Sequence, residues 1–395
     1  MLSYIAYGFL QLPWWGFIAV TLVMTQITIF AVTVYLHRCQ AHRAVELHSI
    51  PSHFFRFWLW MTTGMVTKEW TSIHRKHHAK VETADDPHSP QVKGIGEVMW
   101  RGAELYRKES RNKETLSRYG EGTPDDWMER NVYTKHSALG IMIMLGIDLF
   151  LFGAVGLTIW AVQMAWIPFF AAGVVNGVAH YWGYRNFECQ DASRNLIPIG
   201  FFIGGEELHN NHHTYGTSAK FSVKWWEMDI GWGVIRTLQL FGLAKPKRVP
   251  PKAALLPGKS SVDTDTLKAI ITNRFQLMAH YSKEVIAPVL REESRRAGEA
   301  GRSMLNRVRT LLIREVSLVA PEKKEELDQV LEKHASLSAV YQYRLKLQNI
   351  WARSTATQKE LLEALQEWCR QAETSGIEAL KEFVKHLKSY VPQNA

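Results

Sequence analysis

The chain has 395 residues, 47 Lys and Arg against 38 Asp and Glu, a net charge of +9, a pI near 9.3 and a mean hydropathy of -0.17. Much of the positive charge flanks apolar runs, and no zinc-finger, RNP or basic-zipper pattern occurs, so a membrane surface is expected as partner and no nucleic acid. Three widely spaced cysteines, Cys39, Cys189 and Cys369, exclude a disulfide framework and a zinc knuckle and suit a reducing compartment.

Residues 13 to 36 carry no charge and are long enough to cross a hydrocarbon core of ~30 Å. No basic n-region or small-residue cleavage site precedes them, so they read as a retained span rather than a signal peptide. Residues 50 to 67 are nearly as apolar but contain His53 and Arg56, and read as an interfacial or re-entrant segment. Two further spans are expected over 137 to 160 and 164 to 184, joined by a hairpin at Ala161-Val162-Gln163, with Asp148 paired inside the bundle. No Lys or Arg precedes Arg38 or falls between Lys135 and Arg185, while the loop from 38 to 135 is rich in both. The positive-inside rule then puts the N-terminus outside and that loop in the cytoplasm, for a protein of the inner membrane.

Residues 1 to 248 thus read as one membrane domain. Residues 249 to 262, rich in Pro and Lys, read as a linker. Residues 263 to 395, rich in Ala, Leu, Glu, Lys and Arg with apolar residues at three- and four-residue steps, read as a soluble helical extension without recognisable chemistry.

The 16 histidines are not scattered. His74, His77 and His78 form an H-x-x-H-H pattern that returns at His209, His212 and His213. On a helix such residues share one face and can reach a common point. His37 and His42 end the first span; their i, i+5 spacing, ~140° on an ideal α-helix, predicts that the helix ends or bends there. His180, with Asn176 one turn earlier, lies near the end of the last span. His48, His53, His88 and His136 fall outside the spacing, and His88 in Asp85-Asp86-Pro87-His88 reads as a turn element or as a partner of a ligand. Nine imidazoles exceed what one ion can hold and point to two ions. Imidazole suits iron, copper, nickel or zinc, and oxygen chemistry on an alkyl chain in a membrane favours iron.

These residues resemble the membrane fatty-acyl desaturases, especially the Δ9, stearoyl-CoA desaturase-like branch of bacterial type. The resemblance covers roughly residues 13 to 240. It rests on HRCQAH (37 to 42), HRKHH (74 to 78) with DDPH (85 to 88), NGVAHYWGYR (176 to 185) and GEELHNNHH (205 to 213). The chain departs from the family where Gly-Glu-Gly is Gly205-Glu206-Glu207 and where the usual aromatic-Pro is Tyr215-Gly216.

The resemblance implies an all-α integral membrane bundle with a cytosolic histidine-rich di-iron cap. It implies one iron on His37, His42, His74, His78 and His213, and another on His77, His180, His209 and His212 with a water held by Asn176. It implies O2-dependent insertion of a cis double bond, at Δ9, into a saturated chain carried as acyl-CoA or in a phospholipid. No haem or iron–sulfur motif is fused to the chain, so electrons are expected from a separate donor, such as ferredoxin or a flavin/iron–sulfur reductase. Arg75 is a candidate for the substrate's phosphate, and the C-terminal helices are candidates for donor docking or self-association. The rival readings are a related di-iron hydroxylase or ketolase, and a non-enzymatic metal-binding membrane protein.

Overall fold

The computed structural model describes residues 2–393, and these divide into two compact units. The first comprises residues up to 185 together with 191–250; the second comprises 186–190 and 251 onward. Both are built from helices, and strands are confined to three two-stranded pairs.

In the first unit an α-helix over Trp14–Phe30 runs without a break into a π-helix over Ala31–Ala41. Together they form one of two helices, among the described residues, that are long and apolar enough to cross a membrane; the other runs from Ala154 to His180. The Ser49–Thr62 helix has 14 residues, a length of ~21 Å that falls short of a ~30 Å core. It is two-sided: Phe55, Leu59 and Trp60 are buried, while Ile50, Phe54 and Phe57 are exposed. Arg56 on its inner face is 2.6 Å from Asp126 and 3.0 Å from His53, so the charges that interrupt this apolar run are paired within the protein.

The expected hairpin at 161–163 is displaced. Helix Ser137–Phe152 ends at Gly153, and the next helix starts at Ala154 and continues to Ile167, then as a π-helix over Pro168–Val175. Gly153 reverses the chain at φ 63°, ψ -144°, a conformation that only glycine adopts readily. A Cβ there would also come within 2.5 Å of the Gly8 nitrogen. Hydropathy does not dip at a glycine, which is why the apolar run reads as continuous across the turn. Asp148 is buried near the end of its helix and accepts a hydrogen bond from Gln163 Nε2 at 3.1 Å.

A short antiparallel pair, Val45–Leu47 with Ala244–Pro246, joins the end of the first box to the last segment of the unit. A parallel pair, Ile199–Gly200 with Met228–Asp229, brackets the last histidine box. In the second unit helices from Thr264 to Lys388 enclose a core that includes Leu267, Leu277, Leu337, Leu365, Phe383 and Leu387. Capping boxes start two of these helices, at Asp263–Thr266 and Thr357–Glu360. Part of the expected linker is folded into this unit, because Ala254–Leu255 pairs with Tyr390–Val391.

Candidate metal centre

Four elements of the first unit carry the histidines. His74, His77 and His78 lie on helix Thr67–Lys80, and His209, His212 and His213 on the short helix His209–Thr214. His180 ends a 3-10 turn that follows the second π-helix. His37 lies within the first π-helix, and the His42 amide donates to the His37 carbonyl at 3.0 Å. The helix does end there, at Ala41 with His42 as its cap, and the i→i+5 bond shows how both rings still meet: a π-helix brings residues five apart onto one face. The His37 and His42 ring centroids are 4.8 Å apart.

The donor atoms fall into two clusters whose members all lie within 4.8 Å of one another: His37, His42, His74, His78 and His212, and His77, His180, His209 and His213. All nine expected imidazoles are brought together, but His212 and His213 exchange the places that the family resemblance implied. Each H-x-x-H-H box follows the same rule. Its first and last histidines, four apart, share a cluster, and the one between them turns ~100° away from its neighbour to serve the other. His74 with His78 thus mirrors His209 with His213.

Within the clusters the Nε2 atoms face one another. His37 and His78 are each 3.0 Å from His212, His42 is 2.8 Å from His74, and His180 is 2.9 Å from His209. Adjacent ligands around one ion at a typical metal–imidazole length of ~2.1 Å would stand about 3 Å apart. The opposite ring nitrogens are turned to carboxylates. Nδ1 of His37 is 2.6 Å from Glu206, that of His77 3.0 Å from Asp86, that of His213 3.1 Å from Asp191, and that of His180 3.4 Å from Glu82. A proton held at Nδ1 leaves the Nε2 lone pair pointing inward, the tautomer that binds a metal. Nε2 of His77 and of His213 is buried without a protein partner. Burial and then the neighbouring imidazoles hold His74, His78, His209 and His212 well below the usual histidine range, and bring His42 down to about 3. Those five rings are therefore held neutral, as ligation requires, and the geometry of the donor set fits two metal ions.

Of the four carboxylates, Asp86 belongs to a segment that sequence marks only as a turn, and Glu82 and Asp191 have no sequence signal at all. Asp86 also accepts from the Glu82 and His88 amides, so the turn and the orientation of His77 are one device. His88 stacks on His77 with centroids 4.4 Å apart. Burial pushes Glu206 up to about 8 although Arg38 is near. Glu207, which replaces a family glycine, accepts from the amides of Ile203 and Gly205 and closes its own loop. Arg38 is fully buried, 2.8 Å from Asp229 Oδ1, bonded to the Gly204 and Ala219 carbonyls and 3.7 Å above the Phe221 ring.

Arg75 is turned to a different use from the expected substrate contact. Its nitrogens donate to the carbonyls of Gln40, Ala41, Tyr119 and Glu121 at 2.7–3.0 Å. The end of the π-helix leaves carbonyls without helical donors, and Arg75 satisfies two of them. Asn176 lines a cavity of about 420 Å³ that also reaches His37, His74, His88 and His209. The walls of this cavity are otherwise mostly apolar, including Ile29, Val32, Ile141, Met164 and Ile167.

Residues 12–239 match the family model for fatty acid desaturase, and residues 266–393, within the second unit, match a model described as transposase. An sn-1 stearoyl-lipid 9-desaturase of Synechocystis is 31% identical over 227 residues, 57% of this chain and 69% of that protein. Delta-9 acyl-lipid desaturase 2 of Arabidopsis thaliana is 30% identical over 245 residues, 60% of this chain and 77% of that protein. An icosanoyl-CoA 5-desaturase of Limnanthes douglasii is 29% identical over 237 residues, 57% of this chain and 63% of that protein. With a family model spanning more than half of its length and histidines gathered as two sets of metal donors, the chain belongs to the fatty acid desaturase family, in its Δ9 branch, and is an oxidoreductase of lipid metabolism.

Proposed function

We propose that this protein is a di-iron membrane desaturase that inserts a cis Δ9 double bond into a saturated acyl chain of a membrane lipid. The observation that carries the reading is the apolar cavity onto which His37, His74 and His209 open, because it brings members of both clusters to the wall of a space shaped for hydrocarbon. His37, His42, His74, His78 and His212 would hold one iron, and His77, His180, His209 and His213 the other, with Asn176 beside the second. Bound iron supplies the oxidising power: O2, two electrons from a separate donor and two protons take two hydrogens from adjacent methylenes and leave a double bond and two waters. The chain's own part is to fix the ligand geometry through Glu206, Asp86, Asp191 and Glu82, to keep water out, and to present one pair of carbons.

An acyl chain carried in a lipid is favoured by the cavity's surroundings. Trp100 and Phe169, both exposed and with ring centroids 6.2 Å apart, neighbour the cavity residues Gly102 and Pro168 and make an apolar rim suited to a bilayer. Two of the relatives above are named for acyl-lipid substrates. In this reading residues 1–248 form the membrane domain, with the apolar stretches 14–41, 137–152 and 154–180 crossing the inner membrane, helix Ser49–Thr62 at the interface and the clusters on the cytoplasmic side. The second unit is assigned to docking of the electron donor or to self-association.

Expression in a host without its own desaturase, fed deuterated stearate, tests this. The expected product is a lipid-bound monoene that disappears with His77→Ala. A terminal alcohol would favour the hydroxylase, and unsaturation unaffected by His77→Ala would end the enzyme reading. Truncation after Pro250 with activity retained would remove the second unit from catalysis.

A further inference from the structure

Apart from Thr63, Arg107, Ser110 and Ser137, the polar side chains on the cavity wall fall into two sets. One belongs to the metal centre: His37, His74, His88, His209, Asn176 and Glu206. The other, Glu69 and Tyr106, faces the cavity from helices Thr67–Lys80 and Ile95–Glu109. The hydroxyls of Thr63 and Ser110 on the same wall are already bonded to the carbonyls of Leu59 and Arg107. Tyr106 differs: its hydroxyl is buried and has no partner. Leaving such a group unmatched in an apolar space is unfavourable, so a ligand that satisfies it gains by doing so.

An acyl chain has one polar feature near its hydrocarbon, the ester carbonyl, which accepts hydrogen bonds and cannot donate them. Tyr106 Oη–H is a donor of the required kind. Burial raises the Glu69 carboxyl above the usual range, which favours the protonated form that can donate as well. Glu69 lies five residues before His74 on one helix, a rise of ~7.5 Å. The two polar sets are therefore held at a fixed separation by a rigid element. Trp70, stacked on His74 with centroids 4.9 Å apart, lies between them in sequence.

We propose that Glu69 and Tyr106 are the specificity-determining pair that receives the acyl carbonyl, so that their separation from the histidine clusters selects which carbons are desaturated. The pair works as a ruler. This rests on the desaturase reading above, and the test keeps the two apart. Tyr106→Phe and Glu69→Met enzymes, each without the donor, are expressed in the desaturase-free host with deuterated stearate. Double-bond position is read by mass spectrometry of the lipids, and iron per chain is measured on the purified proteins.

Wild-type enzyme is expected to give one dominant position. Each variant is expected to keep wild-type iron while preference for that position falls by roughly two- to tenfold, the effect of one neutral hydrogen bond. The same single position from both variants overturns the proposal, as does loss of product together with iron. A wild-type enzyme that makes no monoene removes the desaturase reading itself.

Discussion

Asp86 lies 3.0 Å from Nδ1 of His77, on the ring edge opposite the nitrogen that faces the second cluster. The carboxylate fixes which nitrogen carries the proton, and its own position is fixed by two backbone amides in the turn. Asp86→Asn would keep the size of the side chain and weaken its hold on that proton. Losing such an orienting partner costs about 10–100-fold in metal affinity. Iron per chain after dialysis against a graded chelator should fall at lower chelator concentration than in the wild type.

The division of each histidine box between two clusters gives a prediction about pairs of substitutions. His209 and His213 share one cluster, so His209→Ala/His213→Ala should lose about the same iron as either single variant. His212 serves the other cluster, so His212→Ala/His213→Ala should lose nearly all. Equal iron in the two double variants would contradict the observed grouping.

Arg38 and Asp229 form a fully buried ion pair that fastens the π-helix to the strand after the last box, while Arg38 also holds the Gly204 carbonyl before it. Removing one partner leaves a charge buried alone, at about 3–5 kcal/mol. Asp229→Asn should lower the melting temperature of the detergent-solubilised protein clearly, whereas Asp265→Asn on the exposed surface should leave it nearly unchanged.

In the second unit His280 and His386 stack with centroids 3.9 Å apart, near Phe383, Tyr390 and Glu284. Burial lowers both imidazoles; Lys283 lowers His280 further and His280 lowers His386, while Glu284 opposes both shifts. The folded unit thus binds fewer protons than the unfolded chain, and its stability is full above the ordinary histidine value of ~6.5 and declines as pH falls below it. Protection factors along helix Glu378–Lys388, exchange rates corrected for the intrinsic pH dependence, should fall between pH 7.5 and 5.5, and His386→Gln should flatten that response.

The histidine boxes were legible in the sequence because their spacing is a direct statement about one helix face. Their division was not, since i, i+3 and i, i+4 neighbours are equally close on an ideal helix and the partner elements decide which ring turns where. Gly153 was hidden because a reversal made by one glycine leaves no trace in hydropathy. Arg75 could not be told from a phosphate ligand, because the carbonyls that take its donors come from segments more than 30 residues away in sequence. Glu82 and Asp191 were invisible for the same reason: their roles exist only once His180 and His213 are placed.

The π-helix at Ala31–Ala41 bears on how the first box can change between lineages. An H-x-x-x-H motif on an α-helix and an H-x-x-x-x-H motif on a π-helix satisfy one geometric condition, two imidazoles on the same side of a helix. A deletion between His37 and His42 would keep both rings in place if the turn reverted to α, and would cost a ligand if it did not. Insertions and deletions are therefore tolerated at this point only when helix type changes with them.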